Sequence, residues 1–223
     1  MACTAETTAD AIRAAAAVLT EHKTELTHLD REIGDGDHGE NLARGFAAVV
    51  TKLDSEKPAN PAAVLKLVAT SLISTVGGAS GPLFGTAFLR AATTAGDAAE
   101  LDAATVAAVL GAARDGVVAR GKAEPQDKTM VDALNPAVAA AERAAEAGGS
   151  VAAVLGAAAE AAESGAAATE PLQARKGRAS YLGERSIGHI DPGSRSTAYL
   201  LRALATTAAS GGSEGPAGSP AVR

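Results

Sequence analysis

Tryptophan is absent from this 223-residue chain, and three Phe and two Tyr are its only other aromatics. A core built on large aromatic side chains is therefore excluded, and a sheet protein would want more of them and more β-branched residues. Cysteine is nearly absent too. Cys3 stands alone, which rules out an internal disulfide and a cysteine zinc cluster and suits a reducing cytoplasm. Excess positive charge is missing: the formal net charge is −6 and the pI about 5.3. Such a chain lacks the electrostatic footprint of a nucleic-acid binder. No apolar run is long enough to span a bilayer, and Met1-Ala-Cys-Thr-Ala-Glu lacks the basic start of a signal peptide. Membrane and nucleic acid thus drop out as expected partners, and a cytoplasmic setting is expected.

What is present is alanine. Hydrophobic residues make up 47% of the chain, much of it Ala, with Leu, Val and Ile left to fill the core. Alanine is the strongest helix former, so the composition predicts an all-α protein. Residues 1–209 read as a single helical domain and 210–223, rich in Gly, Ser and Pro, as a disordered tail. Apolar spacing and stop signals predict helices over Thr4–His28, Asn41–Leu53, Pro61–Val76, Pro82–Ala95 and Asp102–Arg120. A sixth opens at Asn135-Pro136 and ends near Gly148-Gly149, Ser150 caps a seventh, and a last one spans Ser194–Ala209. Asn60 followed by Pro61 is a cap with proline at the first helical position. Short loops favour antiparallel neighbours in a bundle or closed barrel. If helices alternate in direction, the Asp30–Gly39, Gly77–Pro82 and Gly121–Met130 loops and the Gly177–Ser196 segment share one end.

The most unusual of these loops is Asp30-Arg-Glu-Ile-Gly-Asp35-Gly-Asp37-His38-Gly39. Three aspartates so close repel one another. The plain structural reading is a solvated turn. The chemical reading is a hard divalent cation, which takes carboxylate and phosphate oxygens together. Gly34-x-Gly36-x-x-Gly39 spells the dinucleotide fingerprint, but the charged run before it is not a buried strand, so that reading fails. An EF-hand fails because Gly39 and Glu40 fall where a ligand and a glycine are needed. Nor is there a P-loop, since Gly121-Lys122 is followed by Ala123.

The other loops complement the aspartates. Gly77-Gly-Ala-Ser-Gly-Pro82 is a turn able to open a helix, whose N-terminal N–H groups suit phosphate. The segment from Gln173 to Ser196 holds Arg175, Lys176, Arg178, Arg185 and Arg195. Alone it reads as a solvated loop. Beside a phosphate site, Arg178 or Arg185 would pair with oxygens in a fork. His38 reads either as a nucleotide contact or phosphoryl acceptor, or as a histidine capping the next helix or bonding a carboxylate.

Four motifs in order, Ile33-Gly-Asp-Gly-Asp-His-Gly39, Gly77-Gly-Ala-Ser-Gly-Pro-Leu-Phe-Gly85, Asp127-Lys-Thr-Met130 with Asp132-Ala-Leu-Asn-Pro136, and Gly177-Arg-Ala-Ser-Tyr-Leu-Gly-Glu-Arg-Ser-Ile-Gly188 with Asp191-Pro-Gly193, resemble the nucleotide-binding (L) subunit of dihydroxyacetone kinase. The resemblance runs from about residue 5 to 208. It implies a closed antiparallel barrel of about eight helices with the nucleotide at one end. Asp30, Asp35 and Asp37 would hold two magnesium ions. His38, Gly39, Glu40 and Asn41 would line the nucleotide, Ala79 and Ser80 would touch phosphate, Gly121, Met130 and Arg178 would surround the nucleoside, and Asp191, Pro192 and Gly193 would close over it. No catalytic acid or base is assigned. Gln126 departs from the pattern, which has glycine there.

The resemblance also implies ADP or ATP as the bound nucleotide, a separate dihydroxyacetone-binding K subunit, and a histidine phosphoprotein as phosphoryl donor. A homodimer is compatible with it. Alternatives of other kinds are an ATP-dependent kinase subunit for another ketose such as erythrulose, a fatty acid kinase subunit, and a nucleotide-loaded partner of a transcription regulator.

Overall fold

The computed structural model describes residues 2–210. The expected tail, apart from Ser210, lies outside the described residues. Among the described residues nine α-helices and one 3₁₀ segment carry the fold: α1 (Ala5–Glu21), α2 (Lys23–Ile33), α3 (His38–Ser55), α4 (Pro61–Thr75), α5 (Ser80–Ala95), α6 (Ala103–Gly121), α7 (Val131–Glu146), α8 (Val151–Ala167), the 3₁₀ segment Arg178–Ser186, and α9 (Pro192–Ser210). The all-α expectation needs one correction. Two-residue strands β1 (Cys3–Thr4) and β2 (Glu100–Leu101) pair antiparallel, Cys3 opposite Leu101. Two residues are too few to leave an alternation in the sequence.

Four of the helices start where the capping residue's side chain satisfies a free N–H group. Thr4 and Thr7 form a reciprocal cap on α1, Asn60 accepts from the Ala63 N–H with Pro61 at the first position of α4, Asp102 accepts from the Thr105 N–H, and Ser150 from the Ala153 N–H. The helix expected over Thr4–His28 is in fact two. It breaks at His22, whose imidazole stacks on Tyr199 of α9 at 4.0 Å and meets Glu25 at 3.1 Å. The break re-aims α2 onto α3. There Gly39 lies so close that an added Cβ would sit 2.1 Å from the Lys23 carbonyl oxygen.

Helix α7 begins at Val131, four residues before its expected start, and carries Pro136 inside it. Proline there frees the Asp132 carbonyl. Gly165 of α8 packs against that oxygen, where a Cβ would come within 2.3 Å, so the two helices approach closely. Helices consecutive in the chain pack on one another from α3 to α9, and α9 packs back on α1, which also touches α3. Phe46, Ile12, Leu19, Leu26, Leu42, Leu72, Val64, Val68 and Val117 are fully buried between them. Among the described residues no helix is long and apolar enough to cross a membrane.

Candidate functional site

The end of α2, the start of α3, the turn before α5, the loop before α7, the start of the 3₁₀ segment and the start of α9 line one cleft of about 190 Å³. Asp30, Asp35, Asp37, His38, Ala79, Ser80, Met130, Arg178, Asp191, Pro192 and Gly193 all face it. A second hollow of about 360 Å³ adjoins it, sharing Ala79, Met130 and Gly177 and adding Arg120 and Gly121. The loops expected at one end are thus found together.

The aspartate loop is shaped by Asp30. Its Oδ2 accepts from the Asp37 N–H at 2.8 Å and the His38 N–H at 3.1 Å, capping α3 across the loop, while Asp37's own side chain makes no cap. That is why α3 starts at His38 and not at Asn41. Gly34 is required here, because a Cβ would lie 2.2 Å from Asp30 Oδ1, and Gly36 turns the chain at φ +73°. One carboxylate oxygen each from Asp30, Asp35 and Asp37 fall within 4.8 Å of one another. The only ion pair reaching this trio among the described residues is Arg178 Nη1 to Asp35 Oδ2, 2.7 Å, from across the cleft.

His38 is buried. Its Nε2 lies 2.9 Å from Ser196 Oγ, which itself donates to the Gly193 carbonyl, and its Nδ1 lies 3.1 Å from Ser80 Oγ. The set closes if Nε2–H donates to Ser196 and Nδ1 accepts the Ser80 hydroxyl. Burial pushes the imidazole below its ordinary pKa, against the pull of Asp30 and Asp37, so it is held neutral. Both nitrogens are engaged, so His38 ties α3 to the first turns of α5 and α9.

Three expected site residues, Gly39, Glu40 and Asn41, do not line the cleft. Gly39 is a packing glycine against α2. Glu40 points outward and pairs with Lys23 at 3.0 Å. Asn41 is buried beside Gly77 and accepts from Arg44.

The residue that sequence reading passed over is Lys128. It is 1% exposed, and its Nζ donates to the carbonyls of Thr169 (2.9 Å), Glu170 (3.3 Å) and Leu172 (3.0 Å). All three ammonium protons are thereby matched to carbonyls just past the end of α8. Burial lowers its pKa, with Asp191 and Glu170 pulling the other way. Asp191 is buried as well. Its N–H donates to Thr169 Oγ1, and its Oδ2 accepts from the Ser194 N–H, capping α9. Burial pushes this carboxyl up to about 7 in spite of that bond. Ser194 Oγ donates to the Thr129 carbonyl and the Arg175 N–H to the Asp127 carbonyl, so the loops around the cleft are braced from beneath. Lysine is the most ordinary of surface residues, and only its place in Asp127-Lys-Thr-Met130 signals a buried one.

A helical domain whose carboxylates, helix starts and arginine converge on one cleft belongs to the class equipped to hold a cation and a polyanion together. The sequence matches the DAK2 domain over residues 32–206, and the chain belongs to that family. It is 50% identical over 183 residues, 82% of this chain and 87% of the relative, to the ADP-binding subunit DhaL of the PEP-dependent dihydroxyacetone kinase of Escherichia coli (strain K12). The dihydroxyacetone kinase of C. freundii has a similar structure. Its native form matches with a TM-score of 0.69 at 27% identity over 90% of this chain, and its complex with AMP-PNP and Mg2+ with 0.66 at 26% over 89%. This chain spans about a third of that kinase: 34% of the native form.

Proposed function

We propose that this chain is the nucleotide-binding subunit of a phosphotransferase-system-dependent dihydroxyacetone kinase, acting in the cytoplasm. The observation that carries the reading is the cleft, where three carboxylates, an arginine and the first turn of α5 face one another. The relative named for ADP binding and PEP dependence supports the nucleotide and the phosphoryl source. Residues 1–209 would work as one unit, a closed antiparallel barrel, a reading supported by the return of α9 onto α1.

The donor set suits magnesium, which favours carboxylate and phosphate oxygens. Asp30, Asp35 and Asp37 would hold two ions, which neutralise charge on the phosphoryl group. Asp30 has one oxygen committed to the α3 start and one left for a ligand. With Asp35 so engaged, Arg178 would turn from it to phosphate. Ala79 and Ser80 would meet phosphate at the start of α5, Gly121 and Met130 would bound the nucleoside in the adjoining hollow, and Asp191, Pro192 and Gly193 would close over it. His38 would orient the Ser80 hydroxyl. Glu40, Gly39 and Asn41 would act through the position of α3.

The chain positions the donor, and an acceptor free in solution loses most of that advantage. The ketone therefore sits on a separate K subunit, and a histidine phosphoprotein recharges bound ADP. Reconstitution with one component omitted at a time tests this. Turnover should need this chain, magnesium, the K subunit and the histidine phosphoprotein, with ADP copurifying. Robust turnover by the isolated chain with ATP would defeat the subunit reading, and turnover with K subunit and ATP alone would favour an exchanging nucleotide.

A further inference from the structure

Building on that reading, we propose that the outer face of the 3₁₀ segment, centred on Tyr181 with Arg185 and Ile187, is the docking surface for the subunit that presents the ketone. Tyr181 is 89% exposed and Ile187 44%. Two of the four large exposed apolar side chains among the described residues thus fall on this one short segment.

The exposure is not fraying. Leu182, next in sequence, packs inward with Ala179 onto Ile33 and Ala174. Ser180 Oγ donates to the Gly177 carbonyl at 2.7 Å, Ser186 Oγ donates to the Gly183 carbonyl at 2.6 Å and accepts from the Ala174 N–H at 2.9 Å. The Gly188 N–H donates to the Glu170 carbonyl at 2.8 Å. The segment is fastened at both ends and in the middle, yet it holds its tyrosine out.

Position and charge name the partner's chemistry. Lys176, Gly177, Arg178 and Ala179, separated from Tyr181 only by Ser180, form a wall of the cleft. A protein bringing an acceptor within about 3–3.5 Å of a phosphoryl group in that cleft must cover this lip. The chain as a whole is acidic, but from Arg175 to Arg185 there are four cations, Arg175, Lys176, Arg178 and Arg185, against one anion, Glu184. Among the described residues only Arg178 of these four has an ion-pair partner. The surface therefore fits a partner with an apolar spot rimmed by carboxylates. A rigid tyrosine beside arginine is also the composition of interface hot spots. The other exposed large apolar side chains among the described residues, Ile73 and Leu89, sit on α4 and α5, outside this segment.

The test is the reconstituted kinase with the K subunit titrated against the full chain, comparing wild type, Tyr181→Ala with Ile187→Ala, and Arg185→Glu. Both variants should need about ten-fold or more K subunit for half-maximal rate. Their plateau rate and calorimetric ADP affinity should stay within about two-fold of wild type, since none of these side chains lines the cleft. Wild-type half-saturation in both variants, with wild type turning over, overturns the docking surface and leaves the functional reading intact. No turnover by wild type with any dihydroxyacetone-loaded K subunit overturns the reading, and the docking surface with it. Arg185→Glu, a change to an exposed side chain, keeps the test sharp should the double variant fail to fold.

Discussion

The two ends of this molecule solve the same problem in opposite ways. At the cleft end, helix starts and ends meet around buried polar groups, each matched: His38 by two serines, Lys128 by three carbonyls, Asp191 by the Ser194 N–H. At the other end, the first turns of α1, α6 and α8 and the last turns of α9 surround an apolar hollow of about 100 Å³, lined by Cys3, Ile12, Leu65, Phe88, Leu101, Val106, Leu155 and Leu204. The only strand pairing among the described residues sits there too, where Cys3 meets Leu101. Alanine-rich helices alone leave gaps, and this end fills them with leucine and phenylalanine. The cleft end spends its packing on hydrogen bonds, and there the sequence departs from alanine. Stability and ligand binding should therefore separate by end.

Phe88→Ala and Asp37→Asn test that separation most severely. Phe88 is 7% exposed, and its loss should cost about 3 kcal/mol, read by denaturant unfolding, with ADP affinity unchanged. Asp37→Asn removes a ligand and leaves phosphate facing the remaining carboxylates with less cation between them. Calorimetry should show magnesium-dependent ADP affinity falling by about 100-fold, with the unfolding midpoint near wild type. If Phe88→Ala weakened ADP as much as Asp37→Asn does, the ends would be coupled and the comparison lost.

Gly39→Ala should do both kinds of damage at once. Its Cβ would land 2.1 Å from the Lys23 carbonyl and 2.9 Å from the Thr27 nitrogen, so α2 must move off α3. A stability loss of about 2 kcal/mol is expected, with weaker ADP binding because Asp30 travels with α2. Wild-type ADP affinity in this variant would show that the aspartates hold their places without the close approach.

Much of this was legible in the chain, and the limits are physical. The caps at Asn60 and Ser150 act within three residues, so they show as local patterns. The cleft loops declare themselves through Asp, Gly and Arg, residue types with few reasons to cluster. What could not be read depends on distant partners. His22 breaks a helix because Tyr199 lies across from it, and periodicity contains no such term. Pro136 sits inside a helix because Gly165 takes up the space beside the freed carbonyl. Lys128 is buried because three carbonyls far along the chain await it, and Glu40 turns away because Lys23 stands beside it.

A weaker effect separates the ends by pH. Asp191 titrates near 7 in the folded chain and near its ordinary 3.8 when unfolded. Between those values the folded state keeps a proton that the unfolded state has released. Its contribution is thus full at acid pH and is lost as pH rises through 7. Unfolding free energies measured from pH 5 to 8 should fall across that window, and Asp191→Asn should flatten the slope. An equal slope in the variant would assign the effect elsewhere.

The smallest effect concerns Gln126, where the pattern that the sequence resembles would put glycine. Its φ is +70°, as glycine would adopt, and Lys122 and Lys128 in the same loop are also left-handed at +54° and +61°. Left-handed backbone strains a residue with a Cβ by about 1–2 kcal/mol. Lys128 offsets that with three hydrogen bonds. Gln126 has only its backbone N–H, which donates to Asp132 Oδ1, and glycine would keep that bond. Gln126→Gly relieves the strain but frees the unfolded chain, which returns about 0.4–1 kcal/mol. The net gain should be about 0.5 kcal/mol, a rise of about 1–2 °C in Tm for a chain this long. Lys128→Gly, with nearly the same φ, should lose stability sharply because three carbonyls are left bare. A drop in Tm for Gln126→Gly, or an ADP affinity that falls with it, would show that the glutamine side chain does something for the loop that its backbone angle does not reveal.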